Sequence, residues 1–440
     1  MNPKVSIVIP SLNSIRYIEE CLQSVLNQTL QGIEILCVDA NSTDGTLEYL
    51  KELESKDKRL KVIVSDKKSY GYQMNLGIKA AKGEYLGIVE SDDYIQPTMY
   101  EELYKIAKEK ECDVVKGDML EFVDKNGERI FTHTRLINWT KCLYQKNLNA
   151  KDMRVFTQSG IMNPSGIFKL SFLKENQIYH NESLGAAYQD TGFWFFTHLF
   201  AQKMFFVNQA FYCYRQDNES SSVNNISLEK ALNLSKEYDF IRKKLEEYPN
   251  FFNLIPLVSY LRFGGHNWIL GRIMDAYKLP FLQRIQSEFL ELEAKGELDW
   301  KFFDEFQRAK LERILKSPQE YYQSIASKPK GAVERVKNQL SYKIGNQIIN
   351  TKSFLQFLML PFRIQKLLKT HKQDSQLLNL DNFSDYYESL RVQKHLSYCI
   401  GLTLLKAYQN WYKGEVLLLP MRFFLNYYQF KFNQKSRAHQ

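Results

Sequence analysis

An α/β domain with a doubly wound, mainly parallel sheet, followed by a mostly α-helical C-terminal region, is the architecture this sequence predicts. Two patterns carry that expectation. Short β-branched apolar runs alternate with helical periodicity over the first 120 residues, and from about residue 227 onward the helical period dominates. Residues 5–9, 33–38, 60–64 and 85–89 read as strands buried on both faces. Ile15, Ile18, Leu22, Val25 and Leu26 recur at helical spacing with Asn13 or Ser14 as N-cap, and Leu47, Leu50 and Leu53 follow a turn over residues 41–45. Ligands of such a domain sit at the carboxyl ends of its strands, which here are residues 10–13, 39–44, 65–72 and 90–94. Residues 113–116 and 121–123 read as further strands with a turn at 124–127, a helix follows Gln189-Asp190, and residues 205–207 and 211–214 form two short strands. Residues 260–273, 282–292 and 302–315 are amphipathic, and Pro318, Pro329 and Gly331 mark a break.

Past that break residues 340–345 (Leu-Ser-Tyr-Lys-Ile-Gly) recur as 396–401 (Leu-Ser-Tyr-Cys-Ile-Gly), and 358–363 recur in looser form as 418–422. Two copies are too few for a solenoid, which needs about three. Each copy reads as two helical segments divided near a proline. The composition is that of an ordinary globular chain, with 44% hydrophobic, 25% charged and 14% aromatic residues, which excludes a disordered tail protein. Of the net charge of +9, residues 331–440 carry 16 Lys and Arg against 6 Asp and Glu, so nucleic acid is not implied for the rest. Six scattered cysteines without a Cys-x-x-Cys pair argue against a zinc ribbon or a disulfide scaffold and for reduced thiols in the cytosol. The N-terminus is too short in apolar residues for a signal peptide, and no run approaches the ~18 residues of a membrane-spanning helix.

The tetrad Glu90-Ser91-Asp92-Asp93 concentrates three carboxylates just after a buried strand. Hard cations that prefer oxygen, Mg²⁺ or Mn²⁺, suit such a set when phosphate oxygens complete the shell; the alternative is a solvated acidic turn. With residues 5–13 (Val-Ser-Ile-Val-Ile-Pro-Ser-Leu-Asn), 38–46 (Val-Asp-Ala-Asn-Ser-Thr-Asp-Gly-Thr) and 75–85 in the same order and spacing, the chain resembles the family 2 glycosyltransferases, which have the GT-A fold. The resemblance covers roughly residues 4–225. It implies that Pro10, Ser11, Asn13 and Asp39 hold the nucleotide, that Asp92 faces the ribose, and that Asp93 with Glu90 faces a metal on the diphosphate. Ala40 replaces the second Asp of the family's loop, which leaves Asp39 or backbone amides to hold the base. In the family's Gly-x-Ser-x-Ala-Arg-Asn loop Met74 replaces Arg, Gly71 lets backbone approach the donor, and Tyr72 and Gln73 contact the sugar or belong to a packed helix start.

Gln189-Asp190 stands where the family has Glu-Asp, and the resemblance makes Asp190 the general base for the acceptor hydroxyl; the alternative is a plain N-cap. Arg215 is expected on the leaving diphosphate or in a structural salt bridge, and Asp217 near the metal where relatives carry His. The reaction implied is a single inverting displacement with Mn²⁺ or Mg²⁺, adding one sugar, because the Gln-x-x-Arg-Trp element of processive members is absent. No phosphate-binding loop, nucleophile elbow or paired metal-binding histidines support another chemistry. The domains expected are 1–225, divided into a nucleotide-sugar half at 1–118 and an acceptor half at 119–225, a helical region at 226–330, and a basic repeat at 331–440. In that repeat Lys343, Arg363 and Lys366 accompany Phe354, Phe357 and Phe362, and Lys406 and Arg422 accompany Trp411 and Phe423. Such faces suit an anionic membrane interface or a helical bundle. The expected role is therefore transfer from a nucleotide-sugar donor, a UDP-sugar first, to a glycan or lipid-linked saccharide at the cytoplasmic face of the plasma membrane. It would serve bacterial surface polysaccharide or lipopolysaccharide assembly. A non-catalytic scaffold and a sugar nucleotidyltransferase are the rival readings.

Overall fold

Val5, Ile7, Val8 and Ile9 are buried on both faces of the first strand, which places it in the middle of a sheet. In the computed structural model the described residues are 2–125, 127–137, 143–218, 226–326, 331–351, 356, 359–370, 380, 383, 385–393, 395–409 and 422. Among them one sheet contains β1 (Val5–Ser11), β2 (Ile33–Asp39), β3 (Leu60–Val64), β4 (Tyr85–Ile88), β5 (Tyr94–Ile95), β6 (Val114–Lys125), β7 (Glu128–Thr134), β8 (Asn147–Leu148), β9 (Gly166–Lys169) and β10 (Met204–Arg215). Its order is β3-β2-β1-β4-β9-β6-β10-β5, with β7 added to β6 and β8 to β10. β1 runs parallel to β2 on one side and to β4 on the other, so the chain reverses its direction of travel across the sheet beside β1. A crevice opens at such a switch point, at the carboxyl ends marked here by Ser11, Asp39 and Glu90. β9 is antiparallel to both β4 and β6, which makes the sheet mixed.

The helices of the first part are α1 (Ile18–Leu26), α2 (Thr46–Lys56), α3 (Tyr70–Ala80), α4 (Met99–Lys110), α5 (Arg154–Thr157), α6 (Leu170–Glu175), α7 (Asp190–Phe200), α8 (Leu228–Leu245) and α9 (Ile255–Leu270). They are followed by α10 (Asp275–Ala294), α11 (Glu305–Lys316), α12 (Pro318–Ala326), α13 (Ala332–Asn338), α14 (Leu340–Ile349), α15 (Leu360–Thr370), α16 (Tyr386–Gln393) and α17 (Leu396–Gln409). Several expectations change in detail. The strands expected at 113–116 and 121–123 are one strand, β6, and those at 205–207 and 211–214 are one strand, β10, whose register shifts between Val207 and Tyr212. Gly117 and Asp118 in the first, and the exposed Asn208 and Gln209 in the second, hid the continuity. The turn at 124–127 closes the β6–β7 hairpin, with Gly127 at φ +80. Neither Asn13 nor Ser14 caps α1, which begins after Tyr17 with no side-chain cap. Asn13 has φ 53, and its Oδ1 accepts the Thr43 amide at 2.9 Å instead.

Contacts divide the chain after Met274, whereas breaks were expected after 225 and 330. α8 and α9 remain with the sheet domain because they are packed to it closely. A Cβ on Gly192 of α7 would meet the Phe240 ring at 3.0 Å, one on Gly265 of α9 would meet Leu234 at 2.7 Å, and Arg262 donates to the Ser235 carbonyl at 2.9 Å. In the second unit, Asp275–Gln440, the regular elements among the described residues are all helices. Within it the two copies of the repeat cross each other reciprocally. A Cβ on Gly345 of α14 would stand 1.6 Å from the Ser397 carbonyl oxygen, and one on Gly401 of α17 would stand 1.7 Å from the Ser341 carbonyl oxygen. The repeat thus conserves a Ser-x-x-x-Gly step that brings two backbones together. The second half of the first copy is α15; that of the second copy, except Arg422, lies outside the described residues, as do Lys352, Phe354, Phe357, Trp411 and Phe423.

This crossing sets a test. Gly345→Ala and Gly401→Ala should each cost about 1–3 kcal/mol in the second unit, from overpacking against a carbonyl. The double variant should lose less than the sum, because one separation of the helices relieves both clashes. Calorimetric unfolding of the four proteins measures this, and full additivity would contradict the shared crossing.

Candidate active site

The loops after β1 and β2 are tied to each other by short polar side chains. Asp39, fully buried at the end of β2, accepts Ser11 Oγ at 2.8 Å, the Ser42 amide at 2.7 Å and Ser42 Oγ at 2.6 Å. Ser42 Oγ takes the Asn13 amide at 2.8 Å, and Asp44 holds Thr46 and the Ile15 amide. Asp39, expected to contact the base, is therefore spent on shaping the loop; exposed Leu12, Asn13 and Asn41 form its outer surface. Pro10 pairs with Val38, one position before the pairing of β1 ends at Ser11 and Asp39. Gln73 is buried too. Its Nε2 donates to the carbonyls of Ser11 at 2.9 Å and Val38 at 2.7 Å, so it joins α3 to two strand ends. Tyr72 is half-buried under Lys67, whose Nζ lies 4.3 Å from its ring. Gly71 permits a close approach, but to the loop after α6: a Cβ there would stand 1.8 Å from the Asn181 carbonyl oxygen.

The acidic tetrad divides by burial. Asp93 is fully buried, and both oxygens are taken, Oδ2 by the Tyr212 hydroxyl at 2.6 Å and Oδ1 by the Arg215 amide at 2.8 Å. Burial, then the Asp92 charge, hold its carboxyl well above the ordinary range. The Tyr212 hydroxyl in turn accepts the Glu90 amide at 3.0 Å. Asp93, expected on the metal, thus serves as the latch between the tetrad and β10. Glu90 and Asp92 are the two half-buried carboxylates of the tetrad. Tyr70 donates to Glu90 at 2.8 Å, and burial raises that carboxyl to about 8. Asp92 accepts Asn218 Nδ2 at 2.7 Å.

Arg215 is a clamp inside the protein. Its guanidinium meets Glu20 at 2.7 Å, Asp124 at 3.1 Å and Asp217 at 3.3 Å, its Nε donates to the Asp92 carbonyl at 3.0 Å, and it lies against the Tyr17 and Phe122 rings. Of the two expected roles the structure contains the salt bridge. Asp217, expected near the metal, accepts the Asp124 amide at 2.8 Å as well as Arg215.

Asp190 begins α7. Its carboxyl is raised to about 6 by burial, against the pull of its own amide, the Thr191 amide and Lys116. Lys116, on β6, is buried to 1% exposure and donates to the Met162 and Asn163 carbonyls, while Asn163 Nδ2 donates to the Asp190 carbonyl at 2.9 Å. Gln189 holds the preceding loop: Oε1 accepts the Ala187 amide at 2.6 Å, and Nε2 donates to the Ser183 and Gly185 carbonyls. An amide can donate to those oxygens and a carboxylate cannot, which gives Gln at this position a structural reason. Sequence reasoning missed Lys116, Tyr212, Asn163 and Tyr70, whose partners are distant in the chain.

The model for glycosyl transferase family 2 matches residues 6–170, and that for a domain of unknown function (DUF8374) matches residues 274–432, starting where the first unit ends. Glycosyltransferase GlyG of Streptococcus pneumoniae is 33% identical over 229 residues, 50% of this chain and 73% of that protein. The chain belongs to glycosyltransferase family 2. It is therefore a glycosyltransferase with a GT-A-like domain and a largely helical C-terminal region. Poly(ribitol-phosphate) beta-glucosyltransferase of Bacillus spizizenii is 35% identical over 228 residues, 50% of this chain but only 34% of that protein. The crystal structure of S. aureus TarS 1-349 with UDP-GlcNAc, 19% identical, aligns over 73% of this chain and 91% of that one with a TM-score of 0.45. Among the described residues of this glycosyltransferase no three His, Cys, Asp or Glu side chains form a ready-made cation site.

The latch is testable in this transferase. Tyr212→Phe strands the Asp93 carboxylate and the Glu90 amide, and should cost about 1–3 kcal/mol. Urea denaturation measures it, and an unchanged midpoint would show that the hydroxyl is not holding them.

Proposed function

We propose that this transferase moves a single sugar, with inversion, from a nucleoside diphosphate sugar, most simply a UDP-sugar, to a glycan or lipid-linked saccharide. The observation that carries this reading is Asp190. It is a half-buried carboxylate with a raised pKa at a helix start, within electrostatic reach of Glu90 at the end of β4. A general base works best when it is ionised yet avid for a proton near the operating pH. The acceptor hydroxyl oxygen forms the new bond to the anomeric carbon, its proton passes to the Asp190 carboxylate, and the bond from that carbon to the diphosphate oxygen breaks. One displacement inverts the configuration without a covalent intermediate. Lys116 and the α7 amides hold Asp190 in the ionised form, and Asn163 fixes the turn that presents it.

The residues present fit a divalent cation. Glu90 carries a carboxyl raised by burial beside the charge of Asp92, and such crowded negative charge is what a cation relieves. One or two carboxylates with substrate phosphates suffice for Mg²⁺ or Mn²⁺, which replaces the expected Asp93 with Asp92, seconded by Glu90. Bound there, the ion supplies positive charge against the departing diphosphate. Ser11, Asn13 and the backbone of the β1 and β2 loops would face the nucleoside. Among the described residues no helix is long and apolar enough to cross a membrane. Peripheral contact with an anionic membrane is supported by Met359, Phe362 and Leu368, exposed at 48%, 65% and 39% beside Arg363 and Lys366. Work at the inner face of the plasma membrane, in surface polysaccharide assembly, follows from that contact and from the kind of relatives matched.

Asp190→Asn should retain donor binding and lose about 10²–10⁴-fold in transfer, measured as nucleoside diphosphate release in the presence of acceptor. For the native protein kcat/KM should fall as pH drops below about 6, where Asp190 takes up its proton. Lys116→Met removes a cation that favours the ionised form, so that limb should move to higher pH. A limb unmoved by both changes would assign the base elsewhere.

A further inference from the structure

Two residues before Asp190 the backbone does something unusual for a large side chain. Tyr188 has φ 68, in the left-handed region where a bulky residue is strained, and such strain collects at functional sites. Its hydroxyl is buried with no hydrogen-bond partner among the described residues. Its ring stands edge-on to the indole of Trp268, with centroids 6.2 Å apart and planes at 87°. Trp268 lies in the last turn of α9 and is 37% exposed, unusual for so large an apolar side chain. Arg272, just beyond α9, lies over the same indole at 4.2 Å from its centroid and donates to the Trp268 carbonyl at 3.3 Å.

Arg272 is exposed and forms no ion pair among the described residues, in contrast to Arg215, which meets three carboxylates. The groups that influence its charge are Tyr188, Tyr214 and Glu121, and Tyr214 in turn feels Asp93, Asp92, Glu90 and Asp190. Tyr188 stands two residues before Asp190, so the Tyr188–Trp268–Arg272 strip reaches the helix start that carries that carboxylate, yet all of it lies beyond the residues matched by the family model. An indole offers a flat apolar face to the C–H side of a sugar or polyol. An uncommitted guanidinium offers a planar fork to phosphate oxygens, and beside a cleft lined with carboxylates it offsets the repulsion an anionic acceptor would meet.

We propose that Tyr188, Trp268 and Arg272 form an acceptor subsite that takes a phosphate-bearing saccharide or polyol, with the carbon skeleton on the indole and the phosphate on the guanidinium. The inference rests on the transferase reading and extends it to the acceptor class. Phosphate of this kind occurs on a sugar phosphate or in a polyol phosphate, and the test separates them.

The full chain, saturated with UDP, is titrated with N-acetylglucosamine 1-phosphate and ribitol 5-phosphate, and with N-acetylglucosamine and ribitol as neutral counterparts. At least one phosphorylated probe should bind about tenfold tighter than its neutral form, and the better of the two identifies the source. Arg272→Gln should abolish the preference, Arg272→Lys should restore part of it, and Trp268→Ala should weaken phosphorylated and neutral forms alike. A role for Arg272 confined to steadying Trp268 would leave the phosphate preference in place in Arg272→Gln, and that result overturns the subsite. Equal uptake of phosphorylated and neutral forms by the native chain overturns it too. A native chain that takes up no UDP contradicts instead the transferase reading beneath it.

Discussion

The buried carboxylate of Asp93 is the constraint on which the site depends. It joins a loop at the end of β4 to the last residues of β10, 119 positions away in the chain, through the Tyr212 hydroxyl and the Arg215 amide. A carboxyl so deeply buried is tolerated only when hydrogen bonds replace its water, and each of its oxygens has one. Once Arg215 is held there, its guanidinium gathers Glu20 of α1 and Asp124 of β6, with Asp217 just beyond β10. Glu90 and Asp92, which precede the anchored Asp93, stay half-buried and keep only the Tyr70 hydroxyl and the Asn218 amide as side-chain partners among the described residues. The same interaction that fixes the loop therefore decides which carboxylates remain available.

A second consequence is electrostatic. Glu90, Asp93 and Asp190 all carry raised carboxyl pKa values with burial as the leading cause, and Glu90 feels the charge of both Asp92 and Asp190. Lys116 offers one internal positive charge, itself lowered to about 7 by burial. While Lys116 holds its proton, its charge favours the ionised form of Asp190. A divalent ion arriving with a diphosphate would neutralise the other side. Two sources of positive charge, one built in and one brought with substrate, suit a reaction that needs a base and a leaving group at once.

Much of this was legible in the sequence. Strands β1, β2 and β4 are buried and read as apolar runs, while β3, expected to be buried on both faces, lies at the sheet edge with Lys61 and Val64 exposed; the strand order placed Asp39 and the tetrad at the carboxyl ends and Asp190 at a helix start. β6 and β10 were read as fragments because Gly117 and Asp118 in one, and the exposed Asn208 and Gln209 in the other, interrupt the apolar pattern. The roles within the site were less accessible. Asp93 and Asp92 are adjacent and identical in type, and only the partners supplied by β10 distinguish the latch from the exposed carboxylate. Arg215 suited a diphosphate as well as a salt bridge, and Asp217 a metal, until their partners on β6 and α1 were in place. A lone lysine in a strand, Lys116, gave no sign of burial. Gln189 read as a loss from the family pattern and proved to be a staple for its loop.

Calorimetric titration of the intact protein with UDP, in Mn²⁺ and again in chelator, tests the central claim most directly, because donor and cation are held to share Glu90 and Asp92. The account predicts binding that is strong with Mn²⁺, falls sharply in chelator, and loses its metal dependence in Asp92→Asn. Equal affinity with and without the metal, or metal-dependent binding undiminished in Asp92→Asn, would contradict it.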